Sequence, residues 1–327
     1  MKDDLLTRHS YSWLAAIALA LVCATAAAQS YPAKPVRLLV AFPPGGGPDI
    51  VARLLAAKLT DALGQQFIVE NRIGANGNIA GEIAVKATPD GHTLLVGQDS
   101  LFVINPHLYG KMPFDPLRDL APVASLVSNG FVLAVNPALP AATLPEFVEH
   151  ARRASPPLQY ASGGNGSQHH FTMERLKARA GFQAVHVPYK GGAPATTATV
   201  AGEVMAMMSG TSTAPQIRAG RLRALAVTSL RRSSVLPEVP AIAESYPGFE
   251  MTQWYGLFAP PGVPAAVLAR LRAETSKALA APDMKDRLKN AGGIEAWTIA
   301  PGEFAQAIRD DHAKYAKLAR EVGIRLD

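Results

Sequence analysis

Short apolar runs alternate with longer amphipathic stretches along most of the chain. The runs are rich in aliphatic and β-branched residues, which is typical of buried strands. They comprise residues 36–41, 93–97, 132–135, 158–161, 184–188, 204–208 and 222–227. Stretches with helical periodicity lie between them, at 50–64, 80–86, 144–153 and 171–180. This repeated strand-then-helix order predicts an α/β fold with mainly parallel sheets and helices on both faces.

The pattern changes after Trp254, where one short strand at 255–259 precedes helical segments at 265–279, 284–290 and 303–322. These helices need a sheet to cover, and no flexible linker separates them from the rest of the chain. We therefore expect the C-terminal part to return to the first of two lobes. The predicted lobes are 29–126 together with 253–327, and 127–252. Two crossing segments would act as a hinge, and the interlobe cleft would be the ligand site.

The N-terminus has the layout of a secretory signal peptide. Lys2 and Arg8 precede an apolar run at 13–27, and small residues end at Ala28. We predict a signal peptide over 1–28 with cleavage after Ala28, the alternative being an uncleaved anchor. The chain's single cysteine, Cys23, lies inside this run, so the mature protein would have none. Export without disulfides favours a bacterial periplasm.

The charge balance of the chain bears on what kind of ligand or partner it binds. The formal net charge is +6, from 32 basic and 26 acidic residues, which favours an anionic ligand or partner. Basic residues are scattered and aromatics make up only 7% of the chain, so nucleic-acid binding is not expected. No second long apolar segment follows Ala28, which predicts a soluble mature product.

A glycine-rich turn, FPPGGGPD at 42–49, stands between the first strand and the first long helix. It presents backbone N–H groups at a helix start, where a carboxylate or phosphate can bind. Pro48 suits the first helical position and Asp49 the first turn. Ile50 stands where a dinucleotide fingerprint needs its third glycine, and a P-loop lysine is missing. The turn is therefore either a plain connection or an anion-binding loop of another kind.

Two further loops repeat this arrangement. One runs through SGGNGS at 162–167, with Ser167 as a natural N-cap, and the other places Tyr189 to Gly192 before a helix. If the first loop belongs to one lobe and these to the other, helix N-termini would face each other across the cleft. Such a site could hold an acid from both sides.

Several long motifs in fixed order resemble the solute receptors of tripartite tricarboxylate transporters, the Bug proteins. They are YPAKPVRLLVAFPPGGGPD, GQQFIVENRIGANGNIAG, ATPDGHTLLVG, NPHLYGKMPFDPLRDLAPV, YASGGNGSQHH, HVPYKGGAPA, IRAGRLRALAVTS, LPEVPAIAES and WYGLFAPPGVP. The resemblance covers essentially the whole mature chain. It implies a periplasmic binding protein type 2 fold, a small organic carboxylate as ligand, and delivery to an integral-membrane permease. It further implies a monomer with neither cofactor nor metal.

The resemblance also implies which residues bind the ligand. The carboxylate loop maps onto 42–49 and the second-lobe loop onto 162–169, with 189–192 beside it. Selectivity is expected from Gln98, Asp99, Ser100, Phe102, Thr211, Ser212, Thr213, Trp254 and Tyr255. The predicted ligand-binding residues are Phe42, Gly45, Gly46, Gly47, Pro48, Asp49, Gln98, Ser100, Ser162, Gly164, Asn165, Ser167, His169, Tyr189, Gly191, Thr211 and Trp254. Many relatives have Ser or Thr where this chain has Pro48, which favours contact through the N–H groups of Gly46 and Gly47. For Trp254 and Tyr255, packing at the hinge is the alternative to ligand stacking.

An enzyme using the same cleft is the alternative from another class. Ser162, Ser167 and His169 would be the first suspects for a hydrolase. His169 and His170 lack the spacing of metal ligands, since helical ligand pairs stand three or four residues apart. A receptor that reports its ligand to a sensor kinase would share the fold and the ligand, so only its partner would separate it from a transport receptor.

Overall fold

The computed structural model describes residues 31–210, 213–233, 236–292 and 294–325. The predicted signal peptide with Cys23, and the predicted site residue Thr211 with its neighbour Ser212, lie outside these residues. The strands are β1 (Val36–Val40), β2 (Phe67–Asn71), β3 (Thr93–Gln98), β4 (Ala121–Val135), β5 (Leu158–Ser162), β6 (Ala184–Pro188), β7 (Ala206–Gly210), β8 (Arg223–Val227), β9 (Thr252–Ala259) and β10 (Glu295–Ala296).

Helices cover the sheet between these strands. They are α1 (Gly47–Leu63), α2 (Asn78–Val85), α3 (Asp99–Val103), α4 (Asn105–Leu108), α5 (Pro116–Asp119), α6 (Leu144–Arg153), α7 (Gln168–Ala180), α8 (Gly192–Ala201), α9 (Ala214–Arg218), α10 (Ile242–Ser245), α11 (Ala265–Ala280), α12 (Pro282–Asn290) and α13 (Pro301–Val322). A short 3₁₀ turn, Ala75–Gly77, precedes α2. Among the described residues, no helix is both long enough and apolar enough to cross a membrane.

One long strand connects two parts of the sheet. The strand order is β2-β1-β3-β9-β4-β7-β5-β6, with β8 and β10 also paired to β4. The first ten residues of β4, 121–130, pair with β9, and the last five, 131–135, pair with β7 and β8. We call β1–β3, β9, β10 and 121–130 the first half, and β5–β8 and 131–135 the second half. We propose these halves as the two lobes.

The sheet is mixed, so the prediction of mainly parallel sheets is wrong at its centre. Strands β2, β1 and β3 are parallel to one another, and so are β6, β5 and β7. By contrast, β9 is antiparallel to both β3 and β4, and β4 is antiparallel to β7 and β8. The reason is that β4 passes directly from one half to the other, whereas parallel neighbours need a helical crossover between them.

The C-terminal segment packs mainly on the first half. Strand β9 pairs with β3, and α11 packs against α1 and β4. The last helix, α13, packs against α3 and β4, and it also contacts α7 of the second half. Aromatic rings fill the space beneath it: Phe102 stacks on Phe258 at 4.1 Å, and Trp254 meets Phe304 edge-on at 5.4 Å. Such pairs add to the apolar burial that holds the last helix on the sheet.

Candidate ligand-binding site

A cavity of about 250 Å³ lies between the loops of the two halves. It is bounded by the ends of β1, β3, β5, β7 and β9 and by the starts of the helices that follow. Its lining residues are Phe42, Pro43, Gly45, Gly46, Gly47, Pro48, Gln98, Gly163, Ser167, His169, Gly192, Ala193, Thr196, Thr197, Ser209, Gly210, Thr213, Gln216, Gln253 and Tyr255.

The first loop brings the start of α1 to the cavity. Gly46 is the N-cap residue in extended conformation, Pro48 occupies the first helical turn, and no side chain caps the helix. The N–H groups of that turn are therefore available to a ligand or to water. A Cβ atom added at Gly47 would lie 2.5 Å from the Tyr255 hydroxyl oxygen, so only glycine allows this close approach of the loop to β9.

Asp49 holds the first loop but does not line the cavity. Its carboxylate is 2% exposed and accepts hydrogen bonds from the Gly45 N–H at 3.0 Å, from Asn71 at 2.9 Å and from Arg53 at 3.0 Å. Burial by itself would raise the pKa of Asp49, but these donors hold it below its usual value. The charge of Asp49 is therefore satisfied within the loop.

Buried hydrogen bonds and ring stacking fix the shape of the second glycine-rich loop, residues 162–167. The Ser162 hydroxyl lies 2.5 Å from His186 Nε2 and accepts a hydrogen bond from the Gly164 N–H at 3.0 Å. Ser167 caps α7 by accepting from the N–H of His170 at 3.3 Å. The His170 and His186 rings stack at 3.7 Å. These contacts leave Gly163, Ser167 and the start of α7 at the cavity surface.

His169 forms part of the cavity wall as a neutral ring. It lies edge-on to Phe131 at 5.7 Å, and a Cβ atom added at Gly192 would stand 2.8 Å from its Cε1. Its Nδ1 is buried with no hydrogen-bond partner among the described residues. Burial lowers the pKa of His169 to about 4, so the ring is uncharged at neutral pH. The described residues contain no cluster of three or more His, Cys, Asp or Glu that could hold a metal.

Amides and hydroxyls form the remaining polar wall. Gln98 and Gln253 approach each other, with Nε2 of the first 3.5 Å from Oε1 of the second, and both are almost fully buried. Tyr255 lies beside them, and Ser209 and Thr213 come from the second half. Among the described lining residues there is no Asp, Glu, Lys or Arg. Helices α1, α7 and α8 begin at the cavity, and a helix N-terminus carries a partial positive charge.

The structure brings together about half of the residues predicted from the sequence. Eight of them line the cavity: Phe42, Gly45, Gly46, Gly47, Pro48, Gln98, Ser167 and His169. Eight others do not: Asp49, Ser100, Ser162, Gly164, Asn165, Tyr189, Gly191 and Trp254. Ser100 and Ser162 are fully buried, and Asn165 is exposed. Gly164 and Gly191 shape loops, because a Cβ atom would lie 3.2 Å from the Tyr189 carbonyl oxygen and 2.5 Å from Pro43, respectively.

The alternation of side chains along β9 explains why Trp254 does not line the cavity and why Gln253, which does, was not among the predicted site residues. Trp254 points into the aromatic layer beneath α13, where its indole N–H donates to Asp311 at 2.9 Å. Its neighbours Gln253 and Tyr255 line the cavity. Successive side chains of a strand point to opposite faces, so Trp254 and Tyr255 do not share the cleft, although both were predicted from the sequence as selectivity candidates. The same alternation is the signal in the sequence that identifies Gln253.

Comparisons with known proteins agree with this architecture. The family model described as "Tripartite tricarboxylate transporter family receptor" matches residues 51–324. A curated relative from Pseudomonas sp. strain P51, the UPF0065 protein in the tcbD-tcbE intergenic region, is 40% identical over 314 residues, which cover 94% of this chain and 93% of the relative.

Two solved structures of similar proteins contain carboxylates. R. palustris Rpa4515 with adipate is 31% identical with a TM-score of 0.88, over 90% of this chain and 99% of that one. MatC (Rpa3494) from Rhodopseudomonas palustris with bound malate is 32% identical with a TM-score of 0.83, over 88% of this chain and 99% of that one.

Proposed function

Since the chain belongs to the tripartite tricarboxylate transporter receptor family, we propose that it is a periplasmic receptor for a small organic carboxylate. The two halves close on the ligand, and the closed protein delivers it to the membrane permease of a tripartite transporter. The proposal is supported by the family match and by the adipate and malate in the structures of two relatives. It includes export, with removal of residues 1–28 as a signal peptide.

The observation that carries the proposal is a cavity with helix starts from both halves and no charged side chain among the described lining residues. Helix N-termini bind anions through unpaired N–H groups and through the positive end of the dipole. Neutral amides and hydroxyls can complete the contacts to carboxylate oxygens. A ligand ammonium group, in contrast, would find no carboxylate in this wall. The proposed ligand is therefore an organic acid without a cationic group.

The two serines suspected in the hydrolase alternative are not placed to act as nucleophiles at the cavity. Ser162 is close to His186, but its side chain is fully buried, and neither residue lines the cavity. Ser167 does line the cavity, yet its hydroxyl caps α7 instead of facing a base. Receptors of this family bind and release their ligands, and the cavity is suited to that task.

Thermal denaturation with a panel of organic acids tests the proposal. The mature protein, 29–327, is unfolded and refolded to strip any bound ligand and then heated with adipate, malate and other mono-, di- and tricarboxylates. A ligand that binds the folded state stabilises it by about 2.7 kcal/mol at a concentration 100 times its Kd. We expect at least one acid to raise the Tm in a saturable manner. A flat response across the whole panel would contradict carboxylate binding.

Delivery to a permease needs a separate experiment. Crosslinking of the ligand-loaded receptor to membranes of its own bacterium should yield an adduct with the transporter's integral-membrane subunit. An adduct with a sensor kinase alone would instead support a signalling receptor.

A further inference from the structure

A side-chain amide of the first half bonds the second half beside the cavity. Asn76, in the 3₁₀ turn between β2 and α2, donates from Nδ2 to the carbonyl oxygen of Gly166 at 2.9 Å. Gly166 belongs to the loop whose residues Gly163 and Ser167 line the cavity, whereas Asn76 does not line it. The contact therefore joins the halves without occupying the ligand's space.

The first half fixes the Asn76 side chain for this contact. Nδ2 also donates to Oδ1 of Asn105 at 2.7 Å, and Nδ2 of Asn105 donates back to the Asn76 carbonyl oxygen at 3.1 Å. Asn105 is fully buried and donates further to Asn78 Oδ1 at 2.7 Å. Ala75 and Asn76 both have positive φ, 45° and 48°, a conformation that persists only when its surroundings impose it. The amide is thus oriented before the halves meet, which lowers the entropy that closure loses.

Other contacts at the same boundary also join the two halves. Gln168, the first residue of α7, donates to the Asp99 carboxylate at 2.6 Å. The loops at Pro43 and Gly191 touch, since a Cβ atom on the glycine would lie 2.5 Å from the proline ring. Gly166 therefore lies between two other contacts to the first half, and a separation of the halves at this boundary would break its bond from Asn76.

We propose that Asn76 is a closure-determining residue, which favours the closed arrangement in the absence of ligand and raises affinity without touching the ligand. The inference rests on the proposed function as a receptor that closes. A net hydrogen bond of this kind changes the ratio of closed to open protein by about two- to ten-fold. When most of the free protein is open, the apparent Kd rises by the same factor once the bond is lost.

Spin-label distances in the ligand-free protein test the inference directly. The mature sequence contains no cysteine, so A57C on α1 and A201C on α8 place two labels on exposed positions of opposite halves. We expect the unaltered protein to populate a short and a long distance. N76G keeps the left-handed turn but removes the amide, and it should lower the ratio of short to long by about two- to ten-fold. N76D, an isostere that places a carboxylate against the carbonyl, should lower it at least as far.

Two controls separate closure from other effects. N78A disturbs the Asn105 network inside the first half, and N290D adds the same charge at an exposed position on α12. Both should change the distance ratio less than N76G does. Three results would each overturn the inference. The distance ratio could be unchanged in N76G and N76D, N78A could change it as much as N76G does, or the unaltered protein could show only the long distance.

The distances decide this question even if no acid in the panel binds, so failure of the proposed function is distinguishable from failure of the inference. Where adipate binds and the long distance predominates in the ligand-free protein, the Kd should rise in N76G by the factor that the distance ratio falls. An unchanged Kd under that condition would contradict the role in affinity.

Discussion

Gly47 is a position where a substitution should weaken ligand binding while the fold persists. In Gly47→Ala the added Cβ would stand 2.5 Å from the Tyr255 hydroxyl oxygen, and ordinary contact begins at 3.4 Å. The hydroxyl must therefore retreat by about 0.9 Å, the difference between these two distances. Since Tyr255 lines the cavity, the retreat changes the ligand's surroundings.

The size of the effect follows from the hydrogen bond that Tyr255 offers. A bond to a charged acceptor contributes about 1.5–3 kcal/mol, so its loss should raise the Kd for a carboxylate by about ten- to hundred-fold. The fold should tolerate the change, because the atom that the added Cβ would meet is the end of the Tyr255 side chain and not backbone. Isothermal titration with an acid found in the thermal panel gives the Kd, and urea unfolding gives the free energy of unfolding.

Gly302→Ala is the matched control. Gly302 lies in the first turn of α13, and a Cβ atom there would meet nothing within 4 Å. It should leave the Kd unchanged. Tyr255→Phe should weaken binding on its own, and the double variant with Gly47→Ala should bind no worse than Tyr255→Phe. Unaltered affinity in Gly47→Ala would refute the assignment of this contact to the site.

The other predictions concern closure, acid and a buried carboxyl group. Gly191→Ala places a methyl group 2.5 Å from Pro43 in the opposite loop, and the φ of +121° at this position is strained for alanine. The variant should therefore bind more weakly in titration calorimetry, and wild-type affinity would show that the two loops need not touch. Hydrogen bonds from two arginines lower the pKa of Glu70 to about 2 from 4.5, so its stabilising contribution is complete above pH 4.5 and is lost as the pH falls towards 2. Urea unfolding of Glu70→Gln should therefore show a weaker loss of stability between pH 4.5 and 2 than the unaltered protein does. Burial, followed by repulsion from Asp311, raises the pKa of Asp99 well above its usual value, so ionisation of Asp99 opposes folding as the pH rises. Asp99→Asn should therefore show a smaller fall in Tm with rising pH than the unaltered protein; an equal fall would contradict this role of Asp99.

Helices and strands whose ends are marked by nearby residues could be predicted from the sequence. Helix α6 and strand β6 begin and end where expected, because an N-cap threonine and β-branched runs mark them clearly. Strand β2 was missed, since FIVEN mixes apolar and polar residues. The first part of β4 was missed for a similar reason: Pro122, Ser125 and Asn129 interrupt its apolar pattern, and its pairing with β9 comes from distant sequence.

The residues of the candidate site likewise fall into those with a local signal in the sequence and those placed by tertiary packing. The first loop lies at the cavity, and the signal that pointed to it, a glycine-rich turn between a strand and a helix, is local in the sequence. Thr196, Gln216 and Ser209 were missed as site residues, since their place in the wall depends on how α8, α9 and β7 pack in three dimensions. Ser162 and Gly164 were predicted in the right loop but support it from beneath.

The uncharged wall of the cavity has a consequence for how such a receptor diversifies. An anchor made of main-chain N–H groups cannot be deleted by exchanging one side chain for another. On the proposed mode of binding, substitutions at Gln98, Gln253 or Thr213 would alter which acid fits while the main-chain contacts to its carboxylate persist. One scaffold could in this way come to bind different acids through single substitutions.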